Sequence, residues 1–175
     1  MKRFFASILV LSVILTIVFS SCKQEQNFSI VPAISFVSFT KYGFDSAVCK
    51  IDFLDGDGDD GLDPFDTVPP FNLNSYDNSD LFLVYYYLDT ISKSWKVYNL
   101  HPSDTSRANF DTLQFRYRLP NLTQNGQKQS LQGEIKVAMP GPYAIPGLTG
   151  KYQITMVDRA LHRSNMVQTG SFTFP

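Results

Sequence analysis

The chain has 175 residues, enough for one domain with an appendage. A hydrophobic fraction of 43% supplies a sizeable core and excludes wholesale disorder, while a net charge of −1 offers no basic field to nucleic acid. Charged residues are only 18%, against 15 Phe, 9 Tyr and one Trp, a bias toward strands and away from a coiled coil.

The chain opens with the positive head Met1-Lys2-Arg3, followed by an uncharged stretch over 4–21 that is almost wholly aliphatic over 8–19. Ser20-Ser21-Cys22 then gives way abruptly to the polar run Lys23-Gln24-Glu25-Gln26-Asn27. A positive head, an apolar middle and small residues before a cut make a secretory signal. A single membrane-spanning anchor is the competing reading, because the uncharged run approaches spanning length. Cys22 separates the two. The stretch resembles a bacterial lipoprotein signal, in which small residues precede an acylated cysteine, although Phe19 stands where such signals usually carry Leu. The resemblance implies a signal over 1–21, a lipid on Cys22, a tether over 22–27 and a folded domain over 28–175. It also implies a cell-envelope address on the outer membrane, periplasmic or surface-facing, with the lipid anchor as the membrane contact. Two or more fatty chains hold a protein firmly, where one binds only marginally.

Strand signals then follow one another to the end of the chain, at 28–41, 47–54, 81–88, 95–100, 113–119, 131–139, 152–156 and 166–174, separated by Gly, Pro, Asn and Asp clusters. Pro32 interrupts the first, and a register shift is expected after it. In the second, period two puts Ala47, Cys49, Ile51 and Phe53 on one face and Lys50 and Asp52 on the other. Cys49 therefore reads as a buried small hydrophobe and not as a reactive thiol. Residues 81–88, LFLVYYYL, are apolar on both faces and read as a central strand. No 3.6-residue stripe competes beyond the signal. The expectation is an all-β chain, an antiparallel β-sandwich of seven or eight strands, because loops as unequal as 55–79 and 89–94 suit Greek-key crossings.

Residues 152–160 run into Leu161-His162-Arg163-Ser164-Asn165 and back out as a strand, a pattern similar to the final hairpin of immunoglobulin-like domains. Together with Asp55-Gly56-Asp57-Gly58-Asp59 after an early strand, the chain resembles small Bacteroidota-type envelope lipoproteins with an Ig-like domain and no assigned activity. The resemblance implies a fold and an address, not a reaction.

The most chemical stretch is 55–66, with six aspartates and three glycines. Calcium takes six to eight oxygens at about 2.3–2.6 Å, and alternating Asp-Gly supplies oxygens on a backbone free to turn. The spacing resembles an EF-hand loop, with Asp55, Asp57, Asp59, the Gly61 carbonyl, Asp63 and Asp66 at the ligand offsets. It departs from that loop at Asp60, where the turn glycine would stand, and at Asp66, shorter than the usual Glu. A solvated Asp-Gly turn is the competing reading. Two carboxylates about 5 Å apart repel by roughly 1 kcal/mol in water, so the cluster requires a cation or wide splaying.

The remaining candidates concern contact and modification. His101 and His162 fall in predicted turns and do not form a zinc motif. No nucleophile elbow or phosphate loop is present, so no enzyme activity is expected. Tyr143, in the stiff loop 140–147, with Trp95 and Tyr98 near other loops, form the expected binding surface. Ser46, Thr67, Thr90 and Thr112 each follow an Asp and precede an Ala or an aliphatic residue, resembling the acceptor of Bacteroidota O-glycosylation. The expected role is non-catalytic, in binding, adhesion or structure, with calcium as a stabiliser and a protein or glycan as partner. The alternative is an accessory glycan- or nutrient-binding lipoprotein of an outer-membrane uptake system.

Overall fold

Side chains that alternate between a dry and a wet face can be satisfied only if two sheets close on each other, and the chain folds that way. The computed structural model describes residues 28–100, 112–123 and 129–174. The expected signal at 1–21, Cys22, the tether at 22–27 and His101 lie outside them. Among the described residues the strands are β1 (Ala33–Tyr42), β2 (Ser46–Asp55), β3 (Leu81–Asp89), β4 (Ser94–Val97), β5 (Gln114–Tyr117), β6 (Leu131–Pro140), β7 (Thr149–Met156), β8 (Val167–Gln168) and β9 (Phe172–Thr173). All strand pairs are antiparallel. No helix among these residues is long and apolar enough to cross a membrane.

One sheet has the order β1-β2-β6. The other is built on the pair β3-β7. Here β3 pairs with β5 along Leu81–Val84 and with β4 along Tyr86–Asp89, while β8 and β9 share the far edge of β7. The second and third strands lie in different sheets, as do the sixth and seventh, so the chain crosses between the layers of a β-sandwich. The run 81–88 is thus the central strand that its two-faced apolarity requires.

Burial follows the pleat. Ala47, Cys49, Ile51 and Phe53 of β2 face Tyr152, Ile154 and Met156 of β7 and Leu81, Leu83 and Tyr85 of β3 across one continuous core. Burial pushes the Cys49 thiol up to about 12, so it acts as a hydrophobe. The register irregularity expected after Pro32 falls later, at Val37, between Phe36 and Ser38 of β1. The single last strand expected at 166–174 is two short ones. Between them Thr169 replaces the ladder: its N–H donates to the Tyr152 carbonyl and its Oγ1 accepts from the Tyr152 N–H, each at 3.0 Å.

Gly150 on β7 is a packing requirement. A Cβ there would lie 2.1 Å from the hydroxyl and 2.3 Å from two ring carbons of Tyr85, which is fully buried. Gly150→Ala should lower unfolding free energy by about 1–3 kcal/mol in urea titration, the usual cost of overpacking. Tyr85→Phe in the same background should leave most of that loss, because the ring carbons stay in the way.

Candidate metal centre

The inward row of β2 does not stop at Phe53. Two residues further on it reaches Asp55, which is fully buried. The inward row of β7 behaves in the same way: Tyr152, Ile154 and Met156 are followed in phase by Asp158, 2% exposed. Asp80, at the start of β3, is also 2% exposed, and its carbonyl accepts from Val157 N–H at 2.8 Å. Both sheets therefore end on carboxylates at one pole of the sandwich.

The loop after β2 folds over this pole. Gly58 (φ 67°) and Gly61 (φ 84°) take left-handed backbone that favours glycine. Space forces the same choice: a Cβ would meet the Gln129 carbonyl oxygen at 1.9 Å from Gly58 and that of Pro120 at 2.3 Å from Gly61. The turn brings Asp55, Asp57 and Asp59 together, each offering a carboxylate oxygen within 4.8 Å of the others. That span is no wider than two opposed ligands on a calcium ion. Asp55 Oδ2 accepts from the Asp59 N–H at 2.9 Å, which fixes the turn. Oδ1 of Asp55, of Asp57 and of Asp59 is buried without a hydrogen-bond partner among the described residues. Buried carboxylate oxygens without donors are costly, and a hard cation meets the need that no donor here meets.

The expected ligand set is divided by the fold. Asp63 and Asp66 are not brought to the cluster, because Arg159 takes them. Arg159 Nη1 lies 3.1 Å from Asp63 Oδ2 and 3.0 Å from Asp66 Oδ2, and Nη2 donates to Asp66 Oδ1 at 3.2 Å. Asn121 Nδ2 also donates to Asp63 at 2.9 Å, and that bond followed by Arg159 holds the Asp63 carboxyl below its ordinary range. Arg118 donates to the Asp63 and Asp66 carbonyls and pins the segment from below. Gly61 serves as a turn residue. A recess of ≈ 440 Å³ opens beside the cluster, lined by Asp57, Asp59, Asp63, Asn121, Thr123 and Arg159.

Sequence reading missed Asp60, Asp80 and Asp158. Continuing the period-two rows past Phe53 and Met156 would have found Asp55 in its buried phase and Asp158 with it, whereas nothing local marks Asp60 or Asp80. His162, read as a turn residue, holds Asp158: its N–H donates to Oδ1 at 2.7 Å and Nδ1 lies 2.9 Å from Oδ2. That bond raises the pKa of His162.

The other surface candidates disperse. Tyr143 is corrected from a surface anchor to a core residue: it is 1% exposed, packs on Phe39, Phe172 and Phe174, and donates to the Gly43 carbonyl at 2.7 Å. Tyr98 is half-buried between Tyr85 and Tyr87. Trp95 is half-buried under Lys151, whose Nζ stands 4.4 Å from the ring. Among the four acceptor-like hydroxyls, Thr67 and Thr90 are exposed, while Ser46 and Thr112 are half-buried. Comparison with protein-family models, with curated proteins and with solved structures found no match.

Burial shifts the acids at the pole toward their neutral forms. Burial, aided by the carboxylates of Asp57, Asp59 and Asp158, pushes Asp55 up to about 6 against the opposing Asp59 N–H. Burial pushes Asp80 up to about 7 and Asp60 to about 8, and it raises Asp59. An acid raised in the folded state keeps a proton that the unfolded chain releases near pH 4, so stability falls as pH climbs from there through the folded values. The raised His162 works in the same direction. In excess chelator, the melting temperature should therefore fall steadily between pH 5 and pH 8, as followed by circular dichroism. A flat profile would contradict this electrostatic account.

Proposed function

We propose that this protein is a lipid-anchored envelope module with a non-catalytic binding or structural role, whose β2–β3 loop is folded around a calcium ion. The observation that carries the metal reading is the convergence of Asp55, Asp57 and Asp59 with one buried, unpartnered oxygen apiece. Oxygen-only donors select a hard cation, and three carboxylates with the loop's backbone carbonyls are the donor types calcium uses. The ion would offset carboxylate repulsion and tie the loop to the sandwich, with Asp55 on β2 as its rigid end. The anchor rests on the lipoprotein-like pattern ending at Cys22.

Extracellular calcium modules bind with dissociation constants of about 10⁻⁴–10⁻³ M. Calcium at ten times such a constant stabilises by about 1.4 kcal/mol. For a chain of this size that is a melting-temperature rise of roughly 3–6 °C. Millimolar calcium should produce such a rise in the full-length protein in detergent. Asp57→Asn with Asp59→Asn should abolish the rise and make the chelated protein more stable than the unmutated one, since a repulsive charge pair is gone. No calcium response in the unmutated protein would remove the metal reading. Incorporation of labelled palmitate in a bacterial host, lost in Cys22→Ala, tests the anchor independently.

A further inference from the structure

One cation does not satisfy this pole. With Asp55, Asp57 and Asp59 assigned to a first ion, Asp60 remains 2% exposed with both carboxylate oxygens buried and without a hydrogen bond among the described residues. Asp80, also 2% exposed, uses Oδ1 to accept from the Leu119 N–H at 2.7 Å, and its Oδ2 makes no hydrogen bond. The strongest charge effects on Asp60 come from Asp55, Asp158, Asp59 and Asp80, carboxylates all. The nearby cations are already engaged. His162 is bound to Asp158, Arg159 to Asp63 and Asp66, and Arg118, the cation acting on Asp80, hydrogen-bonds to the carbonyls of Asn78, Asp63 and Asp66. Six aspartates, of which four are nearly inaccessible, thus face one divalent ion and one histidine.

Resting on the reading of the first site, we infer that the pole holds two divalent cations: one on Asp55, Asp57 and Asp59, and a second, deeper one bridging Asp60 and Asp80. The second ion binds between elements from different sheets, the loop after β2 and the start of β3, and so clamps the sandwich itself and not only the loop.

Equilibrium dialysis of the full-length protein in detergent against radioactive calcium counts the ions directly. Two calcium ions per chain are expected. Asp60→Asn and Asp80→Asn, which keep side-chain shape, should each lower the count to one and keep the thermal response that depends on Asp57 and Asp59. A count of one in the unmutated protein overturns the second site and leaves the first standing. A count of two that both variants preserve likewise overturns the assignment to Asp60 and Asp80. A count of zero overturns both sites, so the two readings fail in different ways.

Discussion

The structure is organised around carboxylates that the sandwich buries at one of its poles. Each sheet continues its inward row one step beyond the hydrophobic core and ends on an aspartate, Asp55 from β2 and Asp158 from β7, with Asp80 entering from β3. Carboxylates held away from water cost several kcal/mol each unless they are paired, protonated or coordinated. The pole is therefore stable only with these acids protonated or coordinated, and the loop above it adds further carboxylates. That conflict is what gives the site its chemistry.

The surrounding structure keeps the conflict in place. The loop cannot spread out, because the backbone at Gly58 and Gly61 sits against the Gln129 and Pro120 carbonyls. Its far part cannot join the cluster, because Arg159 and Arg118 hold Asp63 and Asp66 aside. Further along, Arg116 stands over the stacked rings of Tyr76 and Phe82, and its guanidinium donates to the Ser75 and Tyr76 carbonyls. A long polar connection is thereby tied down by three arginines, two of them on the β5 segment. Two functions are separated within one loop: arginine-paired aspartates position it, and unpaired aspartates remain available to a cation.

At the opposite pole, the core is aromatic. Tyr85, Tyr143, Tyr152, Phe39, Phe172 and Phe174 pack with ring centroids about 5–6.5 Å apart, in edge-to-face, tilted and stacked pairs. Two tyrosine hydroxyls there are spent on backbone carbonyls, Tyr143 to Gly43 and Tyr152 to Tyr143, while the buried Tyr85 hydroxyl has no hydrogen-bond partner among the described residues. This end is apolar and uncharged. The contrast with the acidic end explains why the candidate chemistry gathers at one pole and why the aromatic residues that looked available for ligand contact are not.

The sequence by itself determined the strands, the sandwich and the composition of the acidic loop, because period-two burial and Asp-Gly turn chemistry are local properties of the chain. It also contained the buried phase of Asp55, two residues past Phe53, and of Asp158, two past Met156. Only the tertiary structure decided which acids meet. Asp158 lies about a hundred residues from Asp57 in the chain, and Asp80 about twenty. The diversion of Asp63 and Asp66 depends on an arginine nearly a hundred residues away. Tyr143, in a proline-flanked loop that reads as exposed, is inside because the returning β9 segment covers it with Phe172 and Phe174. Contacts between elements in different sheets leave no periodic trace in either one, so the ligand set and the true surface emerge only when the two sheets close.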